Sequence, residues 1–326
     1  MKKLAILFLL ALVACKEQHK PINNFTSGKI FGTYYNIQFF DDAALDYSKQ
    51  YDSLFLEVNK SMSTYVSTSD ISRINKGDST VLIDRHFKKV FEVSKEIYEE
   101  TNGFFDPTIG VLVNAWDFGP EGKIGALDSL KIDSLMQSVG FNNLIISEGK
   151  IMNPKNAFID FNAIGKGYGL DVISEFLSSK GHQSYLIDIG GEIVAKGINV
   201  DSSNFWRVGI EEPNYDGTQS HKKVIALENV AMATSGVYRK FKVDKNGAKY
   251  SHIMNTKTGY PSKTNILSVS VIAPTCAVAD AYATAFKAMG IVKVTELLKT
   301  HPELKVYFIY EDKEKSLKTL SLNSFP

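Results

Sequence analysis

The stretch 184-SYLIDIGGEIVA-195 decides the fold class of this chain. Two short runs of β-branched and other apolar residues flank the pair Gly190-Gly191. Because glycine adopts the backbone angles of a tight turn, we predict one strand from Ser184 to Ile189 and a second from Glu192 to Ala195. Strands joined by so short a turn run antiparallel, so the predicted sheet is antiparallel at this point.

The rest of the chain mixes helices with further hairpins rather than alternating strand with helix. Apolar residues at helical spacing predict helices, and β-branched or alternating apolar runs predict strands. The predicted helices are Tyr47–Asn59, His86–Thr101, Gly165–Lys180, Cys276–Met289 and Val292–Thr300, and the other predicted strands are Phe31–Phe40, Trp206–Ile210, Lys223–Leu227, Tyr238–Val243, Lys249–Ile253 and Leu267–Ala273. The sequence Asp244-Lys245-Asn246-Gly247 is typical of a hairpin turn. This order favours an α+β fold with antiparallel sheet.

The N-terminus has the pattern of a bacterial lipoprotein signal. Two lysines precede the apolar run Leu4–Val13, which is followed by Ala14 and Cys15. An apolar run of about ten residues is too short to span a bilayer as a helix but suits a secretory signal. We therefore predict a signal peptide at 1–14, a tether at 15–27 that begins with a lipidated Cys15, and one folded body at 28–326. The alternative is an ordinary secreted protein cleaved near Ala14.

Cysteine content and charge limit the remaining possibilities. The chain has two cysteines, so lipidation of Cys15 leaves Cys276 without a disulfide partner. The body then depends on its hydrophobic core, for which the 312 residues that follow the predicted signal peptide suffice. The formal net charge of +1 does not indicate a nucleic-acid partner. We expect an exported protein that is anchored to a bacterial membrane and faces the periplasm.

Two nucleotide-binding motifs are absent despite a suggestive glycine cluster. Gly165-Lys166-Gly167-Tyr168-Gly169 resembles a dinucleotide loop, but Leu170 stands where the third glycine is required. Lys166 is followed by Gly167 rather than by Ser or Thr, which excludes a P-loop. A nucleotide would therefore have to bind without a Rossmann or P-loop scaffold.

The predicted helix Cys276–Met289 carries a candidate metal site. Asp280 and Thr284 are four residues apart and therefore share a helix face. A carboxylate and a hydroxyl one turn apart offer two hard oxygens to magnesium, which completes its shell with water and phosphate. The alternative is that Asp280 caps the helix or is solvated while Thr284 bonds back to a backbone carbonyl.

The segment from Asp160 to Gly167 is a candidate phosphate site. We expect a strand that ends at Asp160 and a glycine-bearing turn into the next helix. Helix N-termini attract phosphate, and Lys166 adds a full positive charge there. The alternative is that Lys166 is a solvated surface lysine and Asp160 a helix cap.

Two further clusters contain a candidate base and candidate stacking residues. His252 could accept the proton of an attacking hydroxyl near neutral pH, although six histidines are present and any one of them could be structural. Aromatic residues lie near turns in Phe31-Gly32-Thr33, Met62–Tyr65 and Gly103–Thr108. Such residues could stack a flat ring system, or they could belong to the core.

Taken in order, these clusters resemble the ApbE family, the FAD:protein FMN transferases. The similar stretches cover almost all of the predicted mature chain. They are Phe31-Gly32-Thr33, MSTYVSTSDISRIN (62–75), GFFDPTIGVLVNAWDFG (103–119), DFNAIGKGYGLD (160–171), YLIDIGGEI (185–193), ATSGVYRKF (233–241), YSHI (250–253) and ADAYATA (279–285).

The resemblance implies a T-fold-like α+β body and specific site residues. Magnesium would bind to Asp280, Thr284 and the backbone oxygen of Ala163. FAD would be held by Phe31, Tyr65, the turn Phe104-Phe105-Asp106, Asp160, Lys166 and the backbone near Ile253. His252 matches a histidine near the reacting phosphate. The family usually has Met in place of Phe31, and Asp-Pro in the segment where this chain has Met254-Asn255-Thr256.

The implied reaction is a magnesium-dependent transfer of FMN from FAD to a threonine hydroxyl, with release of AMP. The acceptor would be another protein, typically a subunit of a membrane redox pump. His252 is the first candidate for the base and Asp280 the second. Two alternatives stay open: a FAD pyrophosphatase that uses the same site with water, and a flavin-binding lipoprotein without catalysis.

Overall fold

The computed structural model describes residues 20–122, 127–214, 218, 220–237, 241–243 and 249–326. The predicted signal peptide, residues 15–19 of the predicted tether, the first three residues of the predicted strand Tyr238–Val243 and the turn 244–247 lie outside these residues. The described strands are β1 (Ile22–Ile30), β2 (Thr33–Asp41), β3 (Ile145–Ser147), β4 (Lys150–Met152), β5 (Tyr185–Ile189), β6 (Glu192–Lys196), β7 (Ile198–Asn199), β8 (Asn204–Glu211), β9 (His221–Leu227), β10 (Val230–Gly236), β11 (Phe241–Val243), β12 (Lys249–Ser251), β13 (Ile266–Ala273), β14 (Lys305–Glu311) and β15 (Leu317–Leu322).

The described helices are α1 (Ser48–Met62), α2 (Asp70–Asn75), α3 (Arg85–Glu100), α4 (Gly110–Ala115), α5 (Ser129–Met136), α6 (Gly165–Ser179), α7 (Cys276–Met289) and α8 (Ile291–Leu297). A short 3₁₀ turn covers Phe141–Asn143. None of the helices in the described ranges is long and apolar enough to cross a membrane.

An eight-stranded sheet organises the molecule in the order β1-β2-β5-β6-β10-β13-β14-β15. All neighbouring pairs in it are antiparallel. The hairpin predicted from 184–195 forms the β5–β6 pair at its centre, and the α+β class is confirmed. The smaller sheets are β7-β8-β9, β11-β12 and β3-β4.

Alternate residues of the large sheet face two different cores. Along β14, Val306 and Phe308 pack toward the helices, whereas Tyr307 and Ile309 pack on the opposite face. This period of two is what a strand with both faces covered requires. The second face is covered by β8 and β9, which contribute Trp206 among other apolar residues.

Helix α7 lies between the large sheet and α6, and it is almost entirely buried. Its alanines allow this close approach. The Thr275 side chain caps its N-terminus by accepting a hydrogen bond from the N–H of Val278. The Asp171 carboxylate of α6 accepts two more, from the N–H groups of Cys276 and Ala277, each at 2.8 Å. These contacts fix α7, and with it Asp280 and Thr284, relative to α6.

Several predicted boundaries are wrong. Residues 22–27 are part of β1 rather than of a tether, because their backbone pairs with β2. Phe31 does not begin a strand: with Gly32 it forms the two-residue β1–β2 turn, and both residues have positive φ. The residues before Asp160 do not form a strand, since their pairing is limited to an isolated bridge between Ile109 and Phe158.

Candidate active site

A single cavity of about 1200 Å³ brings together all twelve of the predicted site residues. They are Phe31, Tyr65, Phe104, Phe105, Asp106, Asp160, Ala163, Lys166, His252, Ile253, Asp280 and Thr284. The cavity lies where the N-terminus of α6, the middle of α7 and the β5–β6 turn meet. It is large enough for a ligand of dinucleotide size.

The junction of α6 with α7 determines where Asp280 lies. The N–H of Gly167 donates a hydrogen bond to Asp280 Oδ2 at 3.1 Å. A Cβ atom on Gly167 would lie 2.3 Å from the carbonyl oxygen of Cys276, so only glycine fits here without a shift of the backbone. The glycine cluster therefore serves helix packing and the orientation of Asp280.

Glu192, the first residue of β6, is a site residue that the sequence analysis missed. Its carboxylate is buried and forms an ion pair with Lys166 through Oε1. It belongs to the stretch YLIDIGGEI, in which the glycine pair indicates a turn but no neighbouring residue indicates that the acid is buried. Burial raises the pKa of the Glu192 carboxyl, and the Lys166 ammonium opposes that rise.

Burial also dominates the electrostatics of Asp280 and Lys166. It raises the pKa of the Asp280 carboxyl to about 7, although Lys166 opposes the rise. Burial alone would lower the pKa of Lys166, but the charges of Glu192 and Asp280 outweigh it and the pKa lies above its usual value. The ammonium and the two carboxylates thus influence one another's charge in the cavity wall.

Asp160 and Asp106 are oriented by hydrogen bonds within their own turns. Asp160 Oδ1 accepts a bond of 2.8 Å from the N–H of Asn162. Asp106 Oδ1 accepts bonds from the N–H and the hydroxyl of Thr108, at 2.8 and 2.6 Å. Burial raises the pKa of Asp106, against these hydrogen bonds. Both side chains are therefore fixed in the cavity wall rather than mobile on the surface.

The four predicted aromatic contacts occupy different environments. Tyr65 is 60% exposed and can present its ring to a ligand. Lys293 lies over the ring of Phe104, with Nζ 4.3 Å from the ring centroid. Phe105 is 2% exposed and packs in the helix-side core, which leaves its ring no open face for stacking. Phe31 packs edge-on against Phe55 of α1, with ring centroids 5.6 Å apart.

His252 and Ile253 enter the cavity from the segment after β12. The His252 ring lies beside Phe118, with ring centroids 6.2 Å apart. The carbonyl of Ile253 accepts a bond of 2.8 Å from the N–H of Ser262. In the segment that departs from the family pattern, Thr256 donates its hydroxyl to the carbonyl of Gly103 at 2.5 Å. This departure thus connects the His252 segment to the turn that carries Phe104.

The predicted magnesium ligands fit that ion by the type of their donors. In the described part of the chain, no three His, Cys, Asp or Glu side chains form a group that could hold a metal. The predicted set does not require one, because it combines the Asp280 carboxylate with a hydroxyl and a backbone carbonyl. The bond from Gly167 engages Asp280 Oδ2, which leaves Oδ1 for a cation. One carboxylate with neutral oxygens suits Mg²⁺, which retains water and binds phosphate.

Comparison with known proteins identifies one family throughout. The model of the ApbE family matches residues 31–308. The chain is 32% identical to the FAD:protein FMN transferase of Haemophilus influenzae, over 95% of this chain and 93% of that protein. It is 34% identical to the Vibrio cholerae protein of the same name, over 88% and 86% of the two chains.

Solved structures agree with these relatives. The flavin transferase ApbE from Vibrio cholerae superposes with a TM-score of 0.83 at 31% identity, covering 94% of this chain and 98% of that one. The Pseudomonas stutzeri flavinyl transferase ApbE in its apo form gives a TM-score of 0.81 at 25% identity, over 92% and 95% of the chains.

Proposed function

Since the chain belongs to the ApbE family, we propose that it transfers the FMN part of FAD to a hydroxyl group of a target protein and releases AMP. The observation that carries this proposal is the meeting of all twelve predicted residues in one cavity. Lys166 and Asp280 come from two different helices, and His252 comes from a third segment. A binding protein without catalysis would not require this combination of cation, carboxylate and base.

The charge of the cavity supports a requirement for a divalent cation. Of the described residues that line it, six are carboxylates, namely Asp106, Asp160, Asp188, Glu192, Glu211 and Asp280, while Lys166 is the one lysine or arginine. The pyrophosphate of FAD is doubly anionic, so a wall with more acidic than basic side chains favours its binding together with a divalent cation. We infer that Mg²⁺ binds to Asp280, Thr284 and the carbonyl of Ala163. When bound, it supplies neutralisation of the charge on the phosphate oxygens.

Residues of the chain position the phosphates, accept the proton and stack on the substrate. The acceptor hydroxyl oxygen forms a bond to the phosphorus on the FMN side, and the bond from that phosphorus to the AMP oxygen breaks. AMP leaves with the electron pair. Lys166 places its ammonium beside the phosphates, and His252 takes the proton of the hydroxyl, with Asp280 as the alternative base. Tyr65, with its exposed ring, stacks on one of the flat ring systems of FAD.

The identity of the acceptor and the location of the protein are proposed from the sequence pattern. We propose that the acceptor is a threonine of a membrane redox-pump subunit and that lipid on Cys15 anchors the enzyme to the same membrane. A shared surface raises the effective concentration of one protein for the other. Export to the periplasmic side of a bacterial membrane belongs to the same proposal.

The test is mass spectrometry of an acceptor fragment after incubation with FAD, Mg²⁺ and the protein from Lys20 onward. We expect the fragment to gain one FMN phosphoryl unit when Mg²⁺ is present and not when it is chelated. Release of free FMN and AMP without an adduct would replace the proposal by a FAD pyrophosphatase. Unchanged FAD that stays bound to the protein would replace it by a binding function.

Substitution of Asp280 tests whether this residue binds the cation. Asp280→Ala removes the one carboxylate of the proposed set, so we expect transfer to fall by at least about a hundredfold, the scale at which loss of charge stabilisation acts. The buried carboxylate also receives the Gly167 N–H. Unfolding by urea must therefore be measured alongside, and full metal-dependent transfer by a folded Asp280→Ala variant would refute the assignment.

A further inference from the structure

Glu192 is deeply buried although its side chain is acidic. It is 3% exposed, it directly follows the turn Gly190-Gly191, and it lines the cavity. Oε1 pairs with Lys166, whereas Oε2 has no hydrogen-bond partner among the described residues. A buried carboxylate with one partner is costly to maintain, which calls for an explanation in terms of function.

Lys166 faces two buried carboxylates but pairs with one of them. Its neighbour Gly167 donates to Asp280, and the charges of both Glu192 and Asp280 act on the Lys166 ammonium. Within the part of the chain that the structure describes, the ion pair of Lys166 is with Glu192 and not with Asp280. The Lys166 side chain is 33% exposed against 4% for Glu192, so the buried acid is the fixed partner and the lysine the adaptable one.

We propose that Glu192 is a positioning residue that holds the Lys166 ammonium away from Asp280 and so keeps the Asp280 carboxylate available to the divalent cation. This inference rests on the proposed function, because it concerns the cation of that site. An ammonium and a metal ion compete for the same carboxylate oxygens. Without Glu192, the attraction between Lys166 and Asp280 would be unopposed in a poorly solvated cavity, and the lysine would occupy the place of the cation.

The test measures cation affinity without turnover, with Mn²⁺ as an EPR-visible substitute for Mg²⁺ and with FAD omitted. Glu192→Gln keeps the shape of the side chain and removes its charge. We expect it to weaken Mn²⁺ binding by about tenfold or more, as substitutions around metal ligands commonly do. Glu211→Gln is the matched control, because it removes one negative charge from the same cavity wall, on β8. We expect less than about a threefold effect there, because Glu192 still pairs with Lys166 and only the general charge of the wall changes.

A second variant separates positioning from a purely structural role. In Glu192→Gln/Lys166→Met the competing ammonium is absent, so we expect Mn²⁺ affinity to return to within about threefold of wild type. If Glu192 contributed only to the structure, removal of Lys166 would not restore the Mn²⁺ affinity. Equal effects of Glu192→Gln and Glu211→Gln, or failure of the double variant to restore affinity, would overturn the inference.

Failure of the inference can be told apart from failure of the proposed function. Wild-type protein that modifies the acceptor fragment, while Glu192→Gln retains normal Mn²⁺ affinity, contradicts the inference alone. Wild-type protein that binds no Mn²⁺ contradicts the inference as well, because Asp280 then has no cation to receive. The mass-spectrometric assay decides the transfer reaction independently of either titration.

Discussion

Gly167→Ala tests whether the contact between α6 and α7 positions the catalytic centre. The added Cβ would lie 2.3 Å from the carbonyl oxygen of Cys276 and 2.6 Å from its carbonyl carbon, whereas ordinary contacts begin at 3.4 Å. The backbone of α7 must therefore move by about 1 Å, the difference between 3.4 and 2.3 Å. Overpacking of this kind costs about 1–3 kcal/mol of stability.

The shift would act on function through Asp280 and Thr284, which α7 carries. A displacement of about 1 Å at a catalytic group can cost about a hundredfold in rate, so we expect that loss in FMN transfer. Rates are measured with the acceptor fragment, and stability by urea unfolding. Gly165→Ala is the control for helix propensity, because nothing lies within 4 Å of its added Cβ, and it should unfold like wild type or at slightly higher urea. Transfer within about threefold of wild type by Gly167→Ala would refute the reasoning.

Two further variants test buried polar groups. Burial lowers the pKa of Lys287, which is 1% exposed, to about 8. Because the unfolded chain retains that proton up to about pH 10.5, wild-type stability should rise between pH 8 and 10.5. Lys287→Met should be about 1–3 kcal/mol more stable than wild type at pH 7 and should lack this rise. If the stability of the variant and of wild type, measured by urea unfolding, changed with pH in the same way, the prediction would be wrong. Asp171→Ala leaves two N–H groups at the start of α7 without their acceptor. We therefore expect the free energy of unfolding to fall by about 2 kcal/mol or more, which lowers the urea midpoint. An unchanged midpoint would rule out this cap.

Local patterns predicted the central elements of the fold well. Helix α7 has the predicted bounds, Cys276–Met289, because an alanine-rich run between a capping threonine and Gly290 favours a helix wherever it packs. The β5–β6 hairpin was equally accessible, since the glycine pair and the apolar runs act locally. Both predictions depended on residues close together in the chain.

Strands whose conformation comes from backbone pairing rather than from their own side chains were missed. β1 has the polar sequence INNFTSGKI and few buried side chains, so its strand conformation comes from backbone pairing with β2 rather than from a hydrophobic pattern. β10 was missed because its small residues, among them Ala231 and Ala233, lack the β-branched signal of a strand. Its place between β6 and β13 supplies the hydrogen bonds that its side chains do not predict.

In the candidate site, too, the sequence does not predict features that depend on residues from other elements. Phe104 and Phe105 are indistinguishable by type in the sequence, yet one lies under a lysine and the other in the core. Glu192 was missed because its importance comes from Lys166, which belongs to a different element. A charge that is buried by tertiary packing has no local signature, so no pattern of neighbouring residues would have revealed it.

The N-terminus of α6 illustrates how packing changes the meaning of a motif. The sequence around Gly165-Lys166-Gly167 favoured a phosphate site formed by free N–H groups of a helix end. In the structure, the N–H of Gly167 donates to Asp280, so this part of the helix end attracts a carboxylate of the protein. The positive charge required by the phosphates of FAD must then come from elsewhere. Under the proposed function, Lys166 supplies part of it and the divalent cation proposed at Asp280 supplies the rest.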